Sequence, residues 1–134
     1  MKAKKEIPVR NKSPFGWWIA AILLRYEEQG EDRKNLSRRC LAWVNTIIIK
    51  AKNREEAYRK AIFQGESHQS KKWDSIDTKT RRKGRWNFEG LMSLLPIYEE
   101  LEDGAEVLWD QHKVSVKRVK SWVKSKKELE TFQD

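Results

Sequence analysis

Ten consecutive residues, Phe15 to Leu24, carry no polar side chain, and this run limits the fold more than any other feature. A helix needs about 20 apolar residues to cross a bilayer, so the run is too short to span one. Lys2, Lys4 and Lys5 precede it, as in a signal peptide, but Arg25 and a polar loop follow with no small-residue cleavage site. The run therefore reads as an element buried on both faces. Its length, its aromatic start and Gly16 favour a strand, although its Ala and Leu residues also suit a helix.

A second apolar block, Cys40 to Lys50, is rich in Val, Thr and Ile, whose branched side chains favour strands. Ile48 at its centre is expected to be fully buried. The two blocks are joined by a polar loop around Gly30 and should pair as an antiparallel hairpin. Asn53 has the chemistry of a helix cap, with Glu56 three residues on. Ala57, Tyr58, Ala61 and Ile62 recur on one helical face, and Gly65 suits a C-terminal stop, which predicts a helix over 54–64.

Residues 66–83 are polar and basic and read as a long loop. Trp86 and Phe88 alternate with polar residues in a third strand over 84–89. Leu91 to Leu95 suits a short helical turn ended by Pro96. A fourth strand is expected over Ala105 to Val114, with Val107 and Trp109 on one face. Ser115 then caps a last helix reaching about residue 131, with Val116, Val119, Val123 and Trp122 on its inner side. The expected architecture is α+β: an antiparallel sheet of about four strands in β-β-α-β-β-α order, with helices on one face. Residues 1–14 read as a flexible basic arm and residues 15–131 as a single domain.

Several segments carry a family resemblance. They are Trp17-Trp18-Ile19-Ala20-Ala21-Ile22-Leu23, Ile47-Ile48-Ile49-Lys50-Ala51-Lys52 and Glu55-Glu56-Ala57-Tyr58-Arg59-Lys60-Ala61, followed by Trp86-Asn87-Phe88-Glu89-Gly90-Leu91 and Leu101-Glu102-Asp103-Gly104-Ala105-Glu106-Val107. In this order, over roughly 16–110, the chain resembles a bacterial "domain of unknown function" family of small α+β proteins. Where that family typically has an acidic start to its second strand, this chain has Arg38 and Arg39. The resemblance implies the fold and a bacterial, cytoplasmic protein, and it transfers no activity.

The residues also exclude several chemistries. No glycine-rich phosphate loop, zinc-ligand spacing or nucleophile elbow is present, so no cofactor, metal ligand or catalytic residue is assigned. The single cysteine, Cys40, rules out an internal disulfide, and beside an apolar block it reads as a buried packing residue. His68 and His112 stand alone in the sequence. Glu99, Glu100, Glu102, Asp103 and Glu106 lack the oxygen spacing of a calcium loop and read first as a solvated turn.

Charge is the feature that points to a partner. The net charge is +9, and fourteen Lys and Arg residues fall within 71–85 and 113–127. In the first stretch Lys71, Lys72, Lys79, Arg81, Arg82, Lys83 and Arg85 surround Trp73 and Trp86, a mixture that suits phosphates and stacked bases. In the second, Lys117, Arg118, Lys120 and Lys124 form a cationic helix face. Each pattern also suits plain solvation, with the tryptophans and valines as core. The expected function is a non-enzymatic binding module contacting nucleic acid through both stretches. The alternative is a protein–protein module, immunity- or adaptor-like, that recognises an acidic partner. The sequence assigns no oligomeric state.

Overall fold

The computed structural model describes residues 6–133. Lys2, Lys4 and Lys5 of the expected arm lie outside them. Strand β1, Trp17–Glu28, sits inside a four-stranded antiparallel sheet of order β2-β1-β4-β3. Its neighbours are β2, Ala42–Lys50, and β4, Lys83–Pro96, and β3 is only Ser75–Ile76. The apolar run is a strand because each side of its backbone meets a partner strand. Two glycines with positive φ, Gly16 and Gly30, bracket it, in a region that side chains with a Cβ rarely enter.

Helix α1, Arg54–Ser67, covers one face of the sheet. Asn53 caps it as expected, its Oδ1 accepting from the Glu56 N–H at 2.9 Å. Under the helix, Trp18, Ala20 and Ile49 meet Ala57 and Ala61, with Ile47, Leu91 and Leu94 around them. The helix continues past Gly65, which is no stop. A Cβ on Gly65 would lie 2.3 Å from the Phe88 ring, so glycine is there to let helix and strand approach closely.

The four-stranded antiparallel sheet and the main helix were legible, but the assignment of strands differs. Strand β4 absorbs both the expected third strand and the expected helical turn at 91–95. Its register with β1 slips twice, leaving Glu89 and Met92 as bulged residues. The bulges curl the sheet and put Phe88, Leu91 and Leu94 on one face, opposite Leu24, Ile22 and Ala20. A three-residue spacing on a bulged strand imitates a helix, which explains the misreading.

No strand forms over 105–114, and this segment pairs with neither edge of the sheet. The short β3 arises instead from the expected loop. The last helix, α2, is only Val116–Ser121, and its Ser115 cap is present, with Oγ accepting from the Arg118 N–H at 3.2 Å. None of its residues is buried, so helices do not share one face of the sheet as expected. Every residue from Glu106 to Gln133 is exposed, including Val116, Val119, Trp122 and Val123.

Two further expectations are corrected. Ile48 is 52% exposed, because its odd-numbered neighbours Ile47 and Ile49 turn to the helix and it turns to the open face. Cys40 is exposed, since β2 starts two residues later. Near the N-terminus, Ser13 Oγ donates to the Ile97 carbonyl at 2.7 Å and the Tyr98 hydroxyl donates to the Arg10 carbonyl. No helix among the described residues is long and apolar enough to cross a membrane.

Candidate nucleic-acid interface

The basic stretch 71–85 becomes the β3–β4 hairpin. Its ladder is short, with Ser75 opposite Gly84 and Ile76 opposite Lys83. Asp77 closes the tip: its Oδ1 accepts from the N–H groups of Lys79 at 2.7 Å and Thr80 at 3.2 Å. Those backbone donors hold its carboxyl below the ordinary range. Its backbone exchanges bonds with Arg81 and Arg82, and Arg81 adopts a left-handed φ of 57°. The sequence folds this way locally because an Asp side chain offers the turn the acceptor it needs.

The hairpin is fixed to the end of β1. The Gln29 N–H donates to the Lys83 carbonyl at 2.7 Å, and Arg82 lies 3.9 Å from Glu28. Gly84 sits against Tyr26, where a Cβ would fall 2.1 Å from the phenolic oxygen. Burial, with Asp77 and Glu28 nearby, raises the pKa of Tyr26. Tyr26, Trp86 and Trp43 form a run of tilted rings with centroids 5.2 and 4.7 Å apart.

Below the hairpin lies a buried carboxylate. Glu27 is 4% exposed. It meets Arg33 at 2.7 Å, Arg85 at 3.6 Å and Arg25 at 3.7 Å, and accepts from Asn87 Nδ2 at 2.8 Å. Burial by itself raises its pKa. The hydrogen bonds from Asn87 and Arg33, with the charges of Arg33 and Arg85, outweigh burial and hold the carboxyl below its ordinary value. Arg85 also stacks on Trp73, its guanidinium carbon 4.3 Å from the ring centroid. Arg85 is thus held between a carboxylate and an indole, and it orients Trp73, which is half-buried.

Most of the other expected cations of this stretch have no carboxylate partner among the described residues. Lys71, Lys72, Arg81, Arg82 and Lys83 are exposed, and only Arg82 has a carboxylate within 4 Å among the described residues. The second basic stretch is less open. Lys117, Arg118 and Lys120 are exposed on α2, whereas Lys124 pairs with Glu130 at 2.9 Å. No hydrogen bond or ion pair joins α2 to the hairpin among the described residues.

Sequence reading missed a groove of about 810 Å³ beside the hairpin, floored by Tyr26 and Trp86 and walled by Arg38, Arg39, Asp77 and Lys79. The Arg38-Arg39 pair was its only sequence signal. Arg38 is committed to Glu31 at 3.1 Å. No group of three His, Cys, Asp or Glu side chains is placed to hold a metal ion among the described residues. His112 lies edge-on to Trp122, and His68 caps the C-terminus of α1.

With this geometry in view, the sequence matches the model of a family described as a domain of unknown function, DUF4288, over residues 17–109. The chain belongs to the DUF4288 family. The DUF4288 match starts at the first residue of β1 and takes in the hairpin, while α2 and its lysines lie beyond it. No curated protein and no solved structure gives a match.

Proposed function

We propose that the chain is a binding module that holds a nucleic-acid backbone against the β3–β4 hairpin, with residues 113–127 as a second cationic contact. The observation that carries this reading is the set of exposed cations Lys71, Lys72, Lys79, Arg81, Arg82 and Lys83 on one short hairpin. Such charges neutralise phosphates and release counterions. Trp73, oriented by Arg85, offers a ring for base stacking, and the reading needs no catalytic group. Lys117, Arg118 and Lys120, with Lys124 once released from Glu130, add phosphate contacts. Such a partner is met in the cytoplasm, where we place the protein.

The test is fluorescence anisotropy with short single- and double-stranded DNA and RNA at several salt concentrations. Affinity should fall steeply with salt and depend little on sequence. Reversing Arg81, Arg82 and Lys83 to Glu should weaken binding and flatten the salt slope, and Lys117, Lys120 and Lys124 reversed together should do so additively. Trp73→Ala should cost about 1–3 kcal/mol of binding without changing that slope. A wild type that binds none of these probes at low salt ends the reading and leaves an acidic protein as the partner to seek.

A further inference from the structure

Among the described residues the sheet order leaves β2 as a bare edge. Its register with β1 is unbroken from Ala42 to Lys50. Bonds at its two ends, Tyr26 N–H to Leu41 carbonyl at 2.9 Å and Ala51 N–H to Gly16 carbonyl at 2.8 Å, set the phase of the ladder. Residues of an antiparallel strand bond alternately to either side. The odd-numbered residues of β2 therefore serve β1, and the N–H and C=O groups of Val44, Thr46 and Ile48 point outward. No hydrogen bond engages those groups among the described residues.

Exposed edges are usually blunted by proline, a bulge or a charge. Strand β4 carries two bulges. Strand β2 has no bulge and no proline, and no charge from Ala42 to Ile49. Instead it shows solvent three large apolar side chains, Trp43, Val44 and Ile48, each at least 50% exposed.

We propose that β2 pairs with β2 of a second copy, antiparallel about a two-fold axis through Thr46. In that register Val44 of each copy faces Ile48 of the other, both on the open face of the sheet. Thr46 faces its counterpart in an outward-bonding pair, so the free backbone groups and the side-chain match select the same axis. A second copy fits because two exposed aliphatic side chains, Val44 and Ile48, stand two residues to either side of Thr46 on the open face. The net charge of +9 opposes contact between copies in general, but the only charge on β2 is Lys50, at its end. The exposed parts of the three side chains on both copies amount to roughly 600 Å², below the about 1,200–2,000 Å² of a standard interface. The dimer is therefore weak, dependent on concentration and tightened by salt.

The test is sedimentation equilibrium of the full chain across a concentration series at low and high salt. The wild type should pass from monomer to dimer, with a larger dimer fraction at high salt. Thr46→Pro removes an outward N–H that β1 does not use, a place where an edge strand tolerates proline. It should abolish the dimer, with circular dichroism checking the fold. Val44→Lys, on the open face, tests the same contact should the proline variant fail to fold, and should weaken association at least tenfold. Combining Val44→Lys with Ile48→Glu sets opposite charges across the axis twice and should restore the dimer. A wild type that stays monomeric at every concentration overturns the proposal, as does a dimer untouched by Val44→Lys. Failure of the double variant to restore a dimer overturns the register.

Discussion

The stretch from Trp17 to Ile97 and the stretch from Glu106 to Gln133 both space their apolar residues regularly, yet all the buried side chains belong to the first. Val107 and Trp109 alternate as a strand would, and Val116, Val119 and Val123 recur as a helix would. Neither pattern buries a side chain. In the first stretch, Ile22 is fully buried because β2 and β4 pair on either side of it and α1 closes one face. Periodicity is thus a capacity for burial, and topology decides whether it is used.

The largest expected effect lies at the charged end of the first stretch. Glu27→Ala leaves Arg25, Arg33 and Arg85 without their shared carboxylate, and should cost about 3–5 kcal/mol in urea unfolding. Because folding lowers the pKa of Glu27, its contribution is complete above the ordinary carboxylate value of about 4.3. It is lost as pH falls through the lower folded value. Glu27→Gln should remove this part of the acid dependence. An unchanged acid profile would show that the cluster is not what holds this end together.

Ile22→Ala should cost about 2–5 kcal/mol, as a fully buried aliphatic does. Ile48→Ala, measured dilute so that copies stay apart, should cost about 1 kcal/mol, in keeping with a half-exposed side chain. Equal losses at the two sites would erase the distinction between the faces. Gly65→Ala drives a methyl into the Phe88 ring and should cost about 1–3 kcal/mol despite the better helix propensity of alanine. A stabilised variant would show that helix and strand can separate at no cost.

The smallest effect belongs to the second stretch. Val119→Ala should change stability by less than about 0.5 kcal/mol, as at other exposed sites. A loss like that of Ile22 would mean the tail does pack, and would break the comparison outright.

Legibility followed the same division. The helix cap at Asn53 and the strand character of Phe15–Leu24 were readable, since both rest on neighbours in sequence. Gly65 misled because a glycine that ends a helix and one that admits a neighbouring ring look alike in sequence. The basic stretch 71–85 was visible as charge. Its separation into cations left exposed on the hairpin and Arg85, locked between Glu27 and Trp73, was not, since Glu27 is far away in the sequence and reaches Arg85 only through the β1–β4 pairing.

The sequence by itself determined that the apolar run must be internal, that a capped helix follows the second block, and that positive charge gathers in two stretches. These follow from local propensity, side-chain size and charge, which each residue carries with it. Only the tertiary structure decided that Ile48 faces out, that 91–95 is bulged strand, that the valines of the last helix stay uncovered and that three arginines share Glu27. Each of these depends on which segment lies opposite. Pairing partners far apart in the chain are chosen by the total burial and hydrogen bonding of the whole sheet, which no single segment encodes.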